Sequence, residues 1–140
     1  MDENLFKQRT KQLALRVIKA VEVLPKNRTA DVLSRQLIRS GTSIGANYRA
    51  ACRGKSTVDV IAKLRIVEEE ADESAYWMEL LIESGLLAKA RLSELLQETN
   101  EIVAMTVASI RTLQKRDGSS PVNRQSKTCT EPSRSIENLK

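Results

Sequence analysis

Residues 29–59 read TADVLSRQLIRSGTSIGANYRAACRGKSTVD, and the punctuation of this stretch decides the fold. From Thr29 to Arg53 there is no proline, and Leu33, Leu37, Gly41, Ile44, Tyr48 and Ala51 recur on one side of a helix. Gly54 and Lys55 then lead directly into Ser56-Thr57-Val58-Asp59, a cap hydroxyl followed three residues on by a carboxylate, which opens another helix. Two long helices joined by so short a link must fold back antiparallel.

The same logic extends outward. A preceding helix runs from about Leu5 to Leu24, with Phe6, Leu13, Val17, Ala20, Val21 and Leu24 in its stripe, and stops at Pro25-Lys26-Asn27. Thr29 is the expected N-cap of the next, with Asp31 in its first turn. The helix opened by Ser56 continues to Glu83 or Ser84 and ends at Gly85, which can adopt positive φ. A fourth helix begins near Ala88 and carries Leu92, Leu95, Leu96, Thr99, Ile102, Val103, Thr106, Val107, Ile110 and Leu113 on one face. It ends at Lys115-Arg116-Asp117-Gly118, with its cations placed favourably for the helix dipole. The expected fold is all-α, an antiparallel up-down-up-down four-helix bundle over residues 1–117. Residues 118–140 are polar and aperiodic, and are expected to form a disordered tail, either a tether for nucleic acid or a terminus with no role.

Composition excludes several classes of chemistry. The 140 residues suffice for one core, built from aliphatics, since aromatic residues make up 3% of the chain. There is no histidine, which removes Ser-His and Cys-His nucleophile pairs, HExxH zinc sites and the Glu-x-x-His di-iron pattern. Cys52 and Cys129 are far apart and form no CxxC pair, as suits a reducing cytosol. No metal, cofactor or catalytic group is expected. The start Met1-Asp-Glu-Asn-Leu-Phe-Lys has no apolar signal core, and no uncharged run in the periodic region approaches the roughly 18 residues a bilayer demands. A cytoplasmic protein with no membrane contact is expected.

Charge is unevenly placed. The net charge is +5, but residues 1–65 carry +9, residues 66–117 carry −6 and residues 118–140 carry +2. Either the two halves of the bundle pair with each other, or a basic face stays free for a polyanion. Arg28, Arg35, Arg39, Arg49 and Arg53 fall within an arc of about 80° opposite the apolar side of the second helix. No acidic residue follows Asp31 there, so nothing within the helix is expected to neutralise them. Planar guanidinium forks suit phosphate, and contacts of this kind give affinity with little sequence preference. The competing expectation is that the arginines pair with carboxylates of the third helix or of a neighbouring subunit. With so few aromatics, base stacking is not expected.

The weak helix formers Ser40-Gly41-Thr42-Ser43-Ile44-Gly45-Ala46-Asn47 point to close backbone approach; no Lys-Ser/Thr follows the glycines, as a phosphate loop requires. Asn47, at the flank, is expected to bond an adjacent helix. On the third helix Glu68, Asp72, Glu79 and Glu83 form a stripe with Arg65, expected to serve salt bridges. Ile66, Trp77 and Leu80 form a second apolar strip there, and Leu15 and Ile18 a similar one on the first helix. Such strips mark either a wide core or a subunit interface.

The run from Arg39 to Lys63, with Ser43-Ile44-x-x-Asn47, Ser56-x-x-Asp59 and then Glu70-x-x-x-x-x-Tyr76-Trp77 in order, resembles the four helix bundle protein family, also called the 23S rRNA-intervening sequence protein family. The resemblance covers roughly residues 5–115, and Val60 stands where an aromatic is common in the family. It implies a small bacterial cytoplasmic protein, some of whose relatives are encoded in insertions within large-subunit rRNA genes. It also implies assembly as a homopentameric ring, and kinship with the basic accessory protein of diversity-generating retroelements, which works with a reverse transcriptase and nucleic acid. No enzymatic activity is implied. The expected function is therefore non-enzymatic binding of RNA or DNA phosphate by Arg28, Arg35, Arg39, Arg49 and Arg53, helped by Lys55. Leu15, Ile18, Ile66, Trp77 and Leu80 would form the oligomer interface. The alternative is an architectural module that binds a protein partner, its arginines consumed by Glu68, Asp72, Glu73 and their neighbours.

Overall fold

A computed structural model describes residues 2–118, and the expectation for the polar tail lies outside them apart from Gly118. Four helices follow in order: α1 (Glu3–Glu22), α2 (Arg28–Cys52), α3 (Thr57–Glu83) and α4 (Lys89–Arg116). Three of the four start on a side-chain cap. Asp2 Oδ1 accepts from the N–H of Asn4 at 3.0 Å and of Leu5 at 3.4 Å. Ser56 Oγ accepts from the N–H of Asp59 at 3.1 Å, the cap read from the sequence. The cap of α2, however, is Asn27 and not Thr29: its side-chain oxygen accepts from Ala30 N–H at 2.8 Å, and the helix begins two residues sooner than expected. α4 starts at Ala88 with no side-chain cap. Gly85, at φ +79°, lets the chain leave α3 by a left-handed turn, and Leu87 N–H then reaches back to the Leu81 carbonyl at 3.1 Å.

Each helix runs antiparallel to its predecessor, and the four close a ring of neighbours in which α1 and α3 stand at opposite corners. Phe6, Leu13 and Val17 from α1, Leu37 and Ile44 from α2, Met78 and Leu81 from α3, and Leu92, Ile102 and Ile110 from α4 are wholly removed from water. Burial of each such side chain contributes about 1.5–3 kcal/mol. Phe6 meets Tyr48 edge to face, with ring centroids 4.5 Å apart.

Two local devices set how the helices approach. A Cβ added at Gly41 would lie 3.1 and 3.2 Å from the two methyls of Val17, and one at Gly45 would lie 3.1 Å from Thr10 Oγ1. The glycines of α2 therefore serve close packing on α1. Between α2 and α3, the buried hydroxyls of Ser40 and Ser74 lie 2.9 Å apart, and Ser40 donates onward to the Gln36 carbonyl. Asn47 differs from expectation: its amide donates to the Ser43 carbonyl at 2.9 Å, within its own helix. The thinnest seam, α1 against α4, is closed by Arg9, whose Nε and Nη2 donate to the two carboxylate oxygens of Glu98 at 3.0 and 2.6 Å. Among the described residues no helix is long and apolar enough to cross a membrane.

Candidate nucleic-acid interface

Because Leu37, Ile44 and Tyr48 turn α2 inward, Arg28, Arg35, Arg39, Arg49 and Arg53 point outward, and all five are exposed, as is Lys55. They are not electrostatically equivalent. Arg35 Nη2 sits 2.7 Å from Asp31 Oδ2, one turn back on the same helix. The expectation that nothing within α2 neutralises its arginines is thus corrected: Asp31 precedes Arg35 by four residues, the spacing at which helical side chains meet. Arg39 crosses to α3, where Nη1 lies 3.3 Å from Glu70 Oε2 and Nη2 contacts Glu73 Oε2. Its Nε also donates to Gln36 Oε1 at 3.3 Å. Arg28, Arg49, Arg53 and Lys55 form no ion pair among the described residues.

Of the carboxylates named from the sequence as partners for these arginines, Glu73 does this pairing, with Glu70 beside it, and Glu68 and Asp72 do not. Glu68, Asp72, Glu79 and Glu83, with Arg65, form no ion pair among the described residues, whereas Glu70 and Glu73 hold Arg39. The reason is rotational: Glu70 and Glu73 lie on the α2 side of α3, beside Ser74, which touches Ser40.

The structure also brings forward two residues that attention to α2 alone overlooked. Lys7 and Lys11 of α1 line the same groove as Arg49, an open cleft of about 520 Å³ between α1 and α2 that Ala14, Gly45 and Ala46 also line. Lys7 Nζ lies 3.1 Å from Glu3 Oε1, and this cation holds the Glu3 carboxyl below the usual carboxylate range. The signal in the sequence was the i, i+4 spacing of Lys7 and Lys11 within the strongly basic first half.

The apolar strips divide. Leu15 and Ile18 are 47% and 38% exposed, and Ile38 of α2, 37% exposed, was not anticipated. Ile66 and Leu80 are half-buried. Trp77 packs partly against the core, and its indole N–H donates to Glu73 Oε2 at 3.2 Å. The exposed ring of Tyr76 meets Trp77 edge-on, with centroids 5.2 Å apart. Trp77 thus packs partly on the core and partly faces the surface.

A second cleft, of about 530 Å³, opens at the end of the bundle where α1 begins; Tyr48, Cys52, Val60 and Leu64 contribute to its walls, and Glu3 and Arg116 are its charged lining groups. Burial pushes the Tyr48 hydroxyl and the Cys52 thiol above their ordinary ranges, so both stay protonated near neutrality. A protonated thiol is a poor nucleophile. Among the described residues no group of three or more Cys, Asp or Glu is placed to hold a metal ion.

A model of the 23S rRNA-intervening sequence protein family matches residues 2–108. A crystal structure from Bacteroides thetaiotaomicron VPI-5482, described as a protein of unknown function from the S23 ribosomal protein family, superposes with a TM-score of 0.73 at 34% identity. That likeness covers 79% of this chain and 99% of the other. A comparison with curated proteins finds no match.

Proposed function

The chain belongs to the 23S rRNA-intervening sequence protein family, and from that premise we propose that it is a non-enzymatic, self-associating helical bundle that binds the phosphate backbone of RNA or DNA. One observation carries this reading: Arg28 and Arg49 on α2, Arg53 at its C-terminal cap and Lys55 in the link to α3 stand exposed with no carboxylate of the described residues in an ion pair with them. Arg28 and Arg49 are 21 residues apart on one helix, about 31 Å at 1.5 Å per residue. That span matches about nine phosphates of one strand at about 3.4 Å each. Arg35 and Arg39 contribute less, because each already holds a carboxylate. Recognition is by charge, with little preference among sequences.

Self-association is supported by the apolar strips. Leu15 and Ile18 lie on α1, and Ile66, Trp77 and Leu80 on α3, at opposite corners of the bundle. Two unlike patches on different faces suit head-to-tail contacts, which close into a ring when the rotation between subunits is a whole fraction of a turn. The pentamer implied by the family resemblance is a ring of this kind.

Fluorescence anisotropy with a labelled RNA hairpin, titrated between about 50 and 200 mM salt, tests the reading. Binding that weakens steeply with salt is expected; equal, negligible binding throughout would refute it. The architectural reading is favoured by one observation, the capture of Arg39 by Glu70 and Glu73 within a single chain. It predicts no binding at any salt.

A further inference from the structure

We propose that the groove between α1 and α2 is a phosphate seat, in which Lys7 and Lys11 of α1 and Arg49 of α2 together hold one backbone phosphate of a nucleic acid strand. This deepens, and rests on, the reading of the protein as a binder of nucleic-acid phosphate; it adds α1 to a surface otherwise confined to α2.

The groove exists because of the small residues in α2. The contact of Gly41 with Val17 and of Gly45 with Thr10 sets α1 and α2 close together. The antiparallel register then brings Lys7 and Lys11 to one groove with Arg49, which Ala14, Gly45 and Ala46 also line. A larger side chain at Gly45 or Ala46 would narrow that groove. Small residues there leave about 520 Å³ open to solvent, and a phosphate group is much smaller than that.

The hydrogen-bonding inventory matches an anion and little else. Thr10 and Thr42 border the groove, but their hydroxyl protons are committed to the carbonyls of Phe6 and Ile38 at 3.0 and 2.7 Å. The remaining polar groups are the ammonium groups of Lys7 and Lys11, the Arg49 guanidinium and the Gln8 amide. Lysine and arginine can only donate, and the Gln8 amide can also donate. No carboxylate of the described residues lines the groove; Glu3, one turn from Lys7, is bound to it at 3.1 Å. Three like charges gathered at one cleft repel one another, and a shared phosphate removes that repulsion while accepting from all three. Glu3 acts as an internal competitor: it occupies Lys7 until a more highly charged anion displaces it.

The probe is the labelled RNA hairpin, bound to the full-length chain, and the readout is acetylation of each lysine measured by mass spectrometry with and without RNA. Lys7 and Lys11 are expected to be protected at least several-fold, while Lys63 and Lys89, on α3 and α4, react at unchanged rates. In parallel, Lys11→Gln with Arg49→Gln is expected to reduce the slope of log affinity against log salt by about one, the worth of the single phosphate the seat holds. Glu3→Gln is expected to tighten binding by about two- to threefold, because it releases Lys7. Far-ultraviolet circular dichroism confirms that each variant is folded; all three sites are on the surface. Binding without protection of Lys7 and Lys11, or Lys11→Gln with Arg49→Gln leaving the salt slope unchanged, overturns the seat while leaving α2 as the binding surface. Absence of any RNA binding overturns the functional reading, and the seat with it.

Discussion

Replacing Gly41 by alanine isolates the contact that sets α1 against α2. In an exposed helix interior this change is worth about 1 kcal/mol of added stability from backbone propensity. Here the new methyl would meet both Val17 methyls at 3.1 and 3.2 Å. Val17 is fully buried and β-branched in a helix, so it has one favoured rotamer and cannot swing aside. Overpacking of this kind costs about 1–3 kcal/mol, so Gly41→Ala should be destabilising by up to about 2 kcal/mol, the reverse of its intrinsic sign. Val17→Ala alone leaves a void and should cost about 2–3 kcal/mol. In that background the added methyl has room, and Gly41→Ala should become stabilising by about 1 kcal/mol. The two changes should therefore couple favourably by about 1–3 kcal/mol, the overpacking that Val17→Ala relieves. Urea unfolding followed by circular dichroism measures all four corners of the cycle. A Gly41→Ala variant more stable than the parent, or strict additivity with Val17→Ala, would refute the claim that these glycines exist for close approach.

Other outcomes follow from the same contacts. Arg9→Ala should lower stability by about 1–2 kcal/mol, above the median for a surface pair, because Arg9 and Glu98 are only 26% and 20% exposed and meet through two hydrogen bonds; thermal unfolding reads this, and no loss would remove the pair as the α1–α4 clasp. Arg39→Ala should change RNA affinity less than Arg49→Ala does, since Glu70 and Glu73 already occupy Arg39; equal losses in anisotropy would contradict that ranking. Leu15→Glu with Ile18→Glu should shift the mass measured by light scattering toward the monomer, and an unchanged assembly would exclude that strip as an interface. Cys52, whose thiol is pushed up by burial, should alkylate more slowly than a free thiol at pH 8, and its rate should keep rising with pH beyond the ordinary thiol range. Peptide mapping follows Cys52 separately from Cys129; an alkylation rate already level at pH 8 would contradict the burial account.

The four helices were legible because their evidence is local: a stripe, a cap, a proline or a glycine within a few residues. Ser56 and Gly85 behave as their types and positions require. Thr29 misled because Asn27, two residues earlier, has the same capping ability, and sequence cannot rank two eligible caps so close together. The Asp31–Arg35 pair was legible by spacing and overlooked. What was not legible depends on how helices are rotated against one another. Nothing in the run Glu68 to Glu73 says that Glu70 and Glu73 face α2 while Glu68 and Asp72 do not. The joining of Lys7 and Lys11 to Arg49 likewise depends on the register between α1 and α2, which the Gly41–Val17 contact fixes only in three dimensions.

The salt dependence of RNA affinity in the Arg28/Arg49/Arg53→Ala variant tests the central claim most directly. If these cations, which form no ion pair among the described residues, each neutralise one phosphate, removing the three should flatten the slope of log affinity against log salt by about 2.7 for duplex or about 2.1 for single strands. A slope equal to that of the parent protein would mean that the outward cations of α2 touch no nucleic acid.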